Sequence, residues 1–195
     1  MHWFTADEHY DHNCIITMEE RPFMDTGVMA HELVRRHNEV VEPGDVTYHL
    51  GDFQWGTKRS RIEELLRSMN GTHILVAGNH DACSDVHHRY VREVRRYARA
   101  GFLEVHQWLV LELEGIGRTL LTHLPALETL NAQEDQRYLD HRPIMDGYDA
   151  QLCGHCHRRW VRRGNSINVG VDVWGYKPVS LLQLAKFWEQ SSELR

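Results

Sequence analysis

Side chains able to bind a metal ion or move a proton fall in five short clusters along this sequence. They are Asp7 and His9 in TADEH, Asp52 in HLGDF, Asn79, His80 and Asp81 in AGNHD, His123 in LLTHL, and His155 and His157 in CGHCH. Imidazole nitrogens mixed with carboxylate and amide oxygens suit manganese, iron, zinc or nickel, without selecting among them. The last cluster poses a choice, because Cys153 and Cys156 stand at CxxC spacing around the two histidines. A small structural zinc site would use the thiols, and a hydrolytic centre would use the imidazoles. CxxC alone is a modest signal, and neither Cys14 nor Cys83 supplies a second pair.

Each cluster follows a strand-like segment. HWFTA, VTYHL, THILVA, RTLLTH and YDAQLC read as short β-runs, and INVGVDV and VSLLQLA are further strand candidates. Residues 29–41, 57–69 and 85–99 carry helical apolar spacing, and WLVLELE-GIG-RTLLTH reads as a hairpin. Residues 124–147 lack a clear period and read as a long, partly helical connection. Strands alternating with helices predict one α/β domain over residues 1–195. In open α/β sheets, sites form beyond the carboxyl ends of the strands, so all five loops can converge on one point. A single Asp or His after a strand is ordinarily a turn residue; five loops so loaded indicate a site.

Composition narrows the classes. The 195 residues are 42% apolar and 26% charged, which suits one globular core. The net charge of −6 gives no general attraction to nucleic acid. Fifteen histidines exceed ordinary usage, an excess that needs an explanation. No leader or membrane span is read from the sequence, so the expected location is cytoplasmic, with reduced cysteines. Two arginine groups are candidates for an anionic partner: Arg92, Arg95, Arg96 and Arg99 on one helix face, and Arg158, Arg159, Arg162 and Arg163 after the last cluster. No protein partner is indicated.

The ordered set D-x-H at 7–9, G-D at 51–52, G-N-H-D at 78–81, His123 and G-H-x-H at 154–157 resembles the signature of the calcineurin-like metallophosphoesterases. The ending NVGVDVWGYKPVSL resembles that of the small bacterial and phage-encoded members. That resemblance implies a β-sandwich flanked by helices on both sides and two divalent ions, manganese first among them. Asp7, His9, Asp52 and His157 would hold one ion. Asp52, Asn79, His123 and His155 would hold the other, with Asp52 bridging. Ions about 3.5–4 Å apart would polarise a bridging water into the attacking hydroxide. On this reading the histidines of CGHCH bind metal and the cysteines are neighbours. In an extended segment His155 and His157 would point to one side, with Gly154 allowing a sharp turn. His80 matches the family's catalytic histidine, a general acid that Asp81 would orient and charge. Asn79 and His12 are candidate substrate contacts. His49 alternates away from the G-D pair and reads as structural. The implied function is hydrolysis of phosphate esters, with phosphodiesters of nucleotide or nucleic-acid type first. A phosphomonoesterase is the alternative, and a non-catalytic metal-binding scaffold is a more distant one.

Overall fold

The computed structural model describes residues 1–56, 59–130 and 137–192. Its elements are, in chain order, β1 (His2–Thr5), α1 (Asn13–Met18), α2 (Thr26–Asn38), β2 (Val46–His49), α3 (Arg59–Ser68), β3 (Thr72–Val76), α4 (Tyr90–Ala100), β4 (Glu104–His106), β5 (Leu109–Leu113), β6 (Gly117–Leu121), β7 (Ala150–Cys153), β8 (Arg162–Arg163), β9 (Ser166–Asn168), β10 (Val179–Ser180) and α5 (Leu181–Ser192). This is a mixed α/β chain with two five-stranded sheets. The first runs β10-β1-β2-β3-β4 and the second β5-β6-β7-β9-β8. β1 to β4 are mutually parallel, whereas β5 and β6 form the expected antiparallel hairpin.

Alternation along the strands divides the apolar side chains between two cores. Phe4, Leu50 and Val76 from the first sheet meet Leu121, Leu152 and Ile167 from the second, so one core lies between the sheets. A second core joins the first sheet's other face to the helices, through Leu75, Leu33, Ile62, Leu65 and Tyr97. The outer face of the second sheet is different. Leu120, Gln151 and Ser166 stand level there, because the register pairs Leu120 with Gln151 and Gln151 with Ser166. Gln151 is fully buried and satisfied, donating to Thr122 Oγ1 and Leu124 O and accepting from Ala126 N and Ser166 Oγ. Among the described residues this face is covered by irregular chain with two single-turn 3-10 helices, Leu127–Thr129 and Leu139–His141.

Some local readings need correction. VSLLQLA is strand only at Val179 and Ser180, and the chain then turns into α5. Leu181, Leu184, Ala185 and Trp188 recur at helical spacing and pack on the intersheet core, which a short apolar run does not distinguish from strand. In INVGVDV the strand ends at Asn168, and beyond it only the isolated bridge of Gly170 to Ala6 continues the pairing. α2 starts at Thr26, earlier than the apolar pattern, because the Asp25 carboxylate accepts from Val28 N at 2.8 Å and caps it. α4 starts only at Tyr90, and β4 is a three-residue strand without its own signal. Residues 57 and 58 of the helix expected over 57–69, and 131–136 of the long connection, lie outside the described residues.

Candidate metal centre

The loops after β1, β2, β3, β6 and β7 meet at one end of the two sheets. The first two run side by side: Asp7 N donates to Gly51 O at 3.0 Å, His9 N to Asp52 O at 2.9 Å and Tyr10 N to Phe53 O at 2.9 Å. The second and third touch through glycine. A Cβ on Gly51 would stand 2.5 Å from Gly78 Cα, and Gly51 has φ +89°, so G-D and G-N-H-D need glycine to approach this closely.

The side chains so assembled form two convergent groups, Asp7-His9-His157 and Asp7-Asp52-His123, whose donor atoms lie within 4.8 Å of one another. Asp52 Oδ2 is central, 3.4 Å from His9 Nε2, 3.3 Å from His123 Nε2 and 3.9 Å from His80 Nε2. Asn79 Oδ1 lies 3.1 Å from His123 Nε2. His155 stands apart from both groups. Its backbone N–H donates to both Asp7 oxygens at 3.0 Å, and its ring centroid is 5.3 Å from that of His123.

The electrostatics favour a cation. His123 Nδ1 meets the Leu50 carbonyl at 2.8 Å, a bond that only Nδ1–H can donate, so a neutral ring turns its Nε2 lone pair toward the acceptors Asp52 Oδ2 and Asn79 Oδ1. That arrangement needs positive charge. Without an ion the proton supplies it: burial lowers the His123 pKa, but Asp52 and Asp7 outweigh burial and push it up to about 10. Burial also raises Asp7, to about 6. For Asp52 burial acts the same way, yet His123, His9 and His80 hold it well below the usual carboxylate range. His9 Nε2 is buried without a hydrogen-bond partner among the described residues, and burial holds its pKa far below the ordinary value. An orphaned imidazole nitrogen beside a shared carboxylate fits divalent ions better than protons.

The backbone at these ligands is unusual. Asp7, His9, Asp52, His155 and His157 all have φ between +47° and +69°. Left-handed non-glycine residues cost conformational energy and concentrate at functional sites. The 155–157 segment is therefore a turn and not extended chain, which corrects the reason given for its histidines sharing a side. Gly154 does not have positive φ; glycine is needed there because a Cβ would lie 2.7 Å from Ala6 Cβ and 2.9 Å from Asp7 Oδ2. The buried thiols of Cys153 and Cys156 join neither donor group.

Asp81 also departs from its expected role. Its Oδ2 accepts from Asp52 N at 2.8 Å and Gly78 N at 2.9 Å, and its Oδ1 from Phe53 N at 3.2 Å. It ties two loops together and does not orient the His80 imidazole. His80 instead presents a part-exposed ring beside Trp55, with centroids 5.0 Å apart. Burial lowers its pKa, and Asp52 opposes the shift. His12 stacks on Trp55 at 4.0 Å and 10°, and its Nδ1 is 3.2 Å from His9 Nδ1. The arginines after the last cluster have other tasks: Arg158 pairs with Glu20, Arg162 bonds Trp188 O, and Arg163 bonds Thr129 O.

Two residues that the sequence patterns do not mark, Asp172 and Arg21, support the cluster. Asp172 Oδ2 lies 2.9 Å from His157 Nδ1, which leaves His157 Nε2 for an ion. Arg21 clamps Asp172 through both carboxylate oxygens, at 2.8 and 2.9 Å, and donates to Asp7 O and Glu8 O. A carboxylate behind a metal-binding imidazole fixes its tautomer and orientation. An aspartate inside the apolar run NVGVDVW was the available signal, since a buried carboxylate there needs a partner.

Comparison with known proteins adds relatives without an assigned activity. No known family's sequence profile matches the chain. It is 27% identical over 201 residues to the uncharacterized protein MJ1445 of Methanocaldococcus jannaschii, covering 99% of this chain and 94% of that one. It is also similar to the crystal structure of AQ665, a protein of unknown function from Aquifex aeolicus, with a TM-score of 0.71 and 28% identity over 96% of this chain and 98% of that one. Among the described residues no helix is long and apolar enough to cross a membrane.

Proposed function

We propose that the protein is a binuclear metal-dependent phosphoesterase of the calcineurin-like type, acting first on phosphodiesters. The observation that supports this reading best is the buried Asp52 carboxylate lying between His9 Nε2 and His123 Nε2 at 3.4 and 3.3 Å, where two ions would share it. Asp7, His9, Asp52 and His157 would hold one ion, and Asp52, Asn79 and His123 the other. His155, outside the convergent groups but with its ring centroid 5.3 Å from that of His123, would complete that second set. Divalent ions bound there would supply Lewis acidity, polarising phosphoryl oxygens and lowering the pKa of the attacking water.

The chain's own residues do the rest. Asp172 and Arg21 hold His157 and the Asp7 loop in register. Asp81 locks the G-D loop onto the G-N-H-D loop, which sets Asp52 and places His80 above it. His80, part-exposed and outside the ligand groups, is placed to meet the ester. As water attacks phosphorus in line, the leaving oxygen takes a proton from His80 Nε2. The anionic ester favours the imidazolium and so offsets the burial that lowers the His80 pKa.

The test is hydrolysis with manganese of bis(4-nitrophenyl) phosphate, 4-nitrophenyl phosphate and alkyl or nucleoside diesters, repeated on His80→Ala. Diester turnover is expected to exceed monoester turnover. His80→Ala should slow the alkyl or nucleoside esters about 10²–10⁴-fold, because an alkoxide needs the proton, and the nitrophenyl esters much less. Faster monoester cleavage would make the protein a phosphomonoesterase, and no turnover with two ions bound would make it a scaffold.

A further inference from the structure

A cavity of about 340 Å³ opens beside the candidate metal centre, and its wall begins with Asn79 and His123 themselves. It lies on the outer face of the second sheet, floored by Leu120 and Thr122 and closed on the far side by Asp140–Ile144 and Tyr148. An ester whose phosphorus sits over Asp52 can send one substituent this way, past Asn79 and His123. The volume is in the range of small-molecule pockets.

The lining selects among substituents. Trp108 and Ile144 line the cavity and are each 62% exposed, which gives a flat apolar platform open to a ligand. The carboxylates Asp85 and Asp140 also line it, and Asp85 pairs with His141 at 3.2 Å. Among the described residues no lysine lines the cavity, and its arginine, Arg142, is buried and donates to Pro125 O at 3.0 Å. A second phosphate would meet the carboxylates of Asp85 and Asp140 here, with the His141 imidazole already paired to Asp85. An uncharged ring carrying hydroxyls would meet an aromatic face and acceptors for its O–H groups.

From this we infer that the cavity binds the nucleoside part of a mononucleotide ester, through stacking on Trp108 and hydrogen bonds to the acidic wall, and that it rejects a polynucleotide strand. The inference rests on the phosphoesterase reading for its biological sense, but binding of the nucleoside itself needs neither metal nor turnover. A strand or a nucleoside triphosphate would carry further phosphates past Asp85 and Asp140, and Arg158, Arg162 and Arg163 are engaged elsewhere. The retained specificity is therefore for one phosphate and one ring system.

The experiment is calorimetric titration of the metal-free protein with adenosine, uridine, ATP and a single-stranded oligonucleotide, on wild type, Trp108→Ala and Ile144→Asp. Both substituted side chains are exposed, and unfolding midpoints would verify that the fold is kept. At least one nucleoside is expected to bind saturably, more tightly than ATP or the oligonucleotide. Trp108→Ala should weaken it about tenfold or more, the scale of losing one stacking face. Nucleosides that fail to bind, that bind equally well to both variants, or that bind more weakly than the oligonucleotide would each overturn the assignment. The phosphoesterase reading would survive any of these results, because the turnover panel tests it separately.

Discussion

The molecule holds two groups of buried histidines, built in opposite ways. One surrounds Asp52, where His9 and His123 both turn Nε2 toward a shared oxygen. The other lies under the first sheet as a linear chain. There His49 Nδ1 meets Glu8 Oε1 at 2.5 Å, His49 Nε2 meets His73 Nδ1 at 3.0 Å, and His37 Nε2 meets Asn70 O at 2.9 Å. Each group leaves one ring nitrogen buried without a hydrogen-bond partner, His73 Nε2 in the chain and His9 Nε2 in the cluster, but only in the cluster do the donor atoms converge on one point. Convergence of lone pairs, and not the number of histidines, separates a place for an ion from a buried polar network.

Exchanging the defects between the two groups gives the largest expected effect. Asp52→Asn should lower bound manganese and cut turnover about 10³-fold or more, while the unfolding midpoint moves little. His49→Ala should keep its metal and lose about 3 kcal/mol of stability, through a cavity and an unpaired Glu8. Elemental analysis and urea unfolding of both variants would check this, and full metal in Asp52→Asn would erase the distinction.

A smaller effect sharpens the boundary of the convergent group. Asp172→Asn keeps the shape behind His157 and removes the charge, so metal affinity should fall about 10–100-fold with the fold intact. Unchanged affinity in a competitive chelator titration would show that Asp172 serves only the pair with Arg21.

Smallest is a pH effect confined to the linear chain. Burial lowers the His37 pKa from 6.5 to about 4. Its folded value is below its unfolded value, so the unfolded chain binds the extra proton between those limits. The stability from neutral His37 is thus complete above about pH 6.5 and declines as pH falls toward 4. Glu8, raised by burial to about 8, acts with the opposite sign as pH rises, so the comparison must be between variants. Urea unfolding in chelator at pH 7, 6 and 5 should show His37→Phe with a shallower acid slope, by up to about 1.4 kcal/mol per pH unit. Parallel slopes would mean that His37 titrates freely when folded.

The sequence made the convergent group readable because its members are local: each candidate ligand follows a strand within a few residues, and Asp52, Asn79 and His155 directly follow glycines that their loops need. The same strands carried the α/β reading. Asp172 and Arg21 were hidden because their partnership spans 151 positions and neither has a recurring neighbour. His37 and His73 gave no local sign either, since one lies in α2 and the other in β3 and only the fold joins them. The α5 error arose where an apolar run satisfied both periods. Asp81 was assigned by its proximity to His80, whereas two backbone amides and the Phe53 N–H claim it first.

The left-handed backbone at Asp7, His9, Asp52, His155 and His157 bears on how such a chain can change over generations. If the ions ceased to matter, glycine at any of these positions would relieve roughly 1 kcal/mol of conformational energy. Drift toward a metal-free descendant would then run downhill in stability, with each lost ligand making the next loss easier to tolerate. A thermal-stability screen of this protein performed without a functional assay would therefore collect its hits at the proposed metal-binding positions.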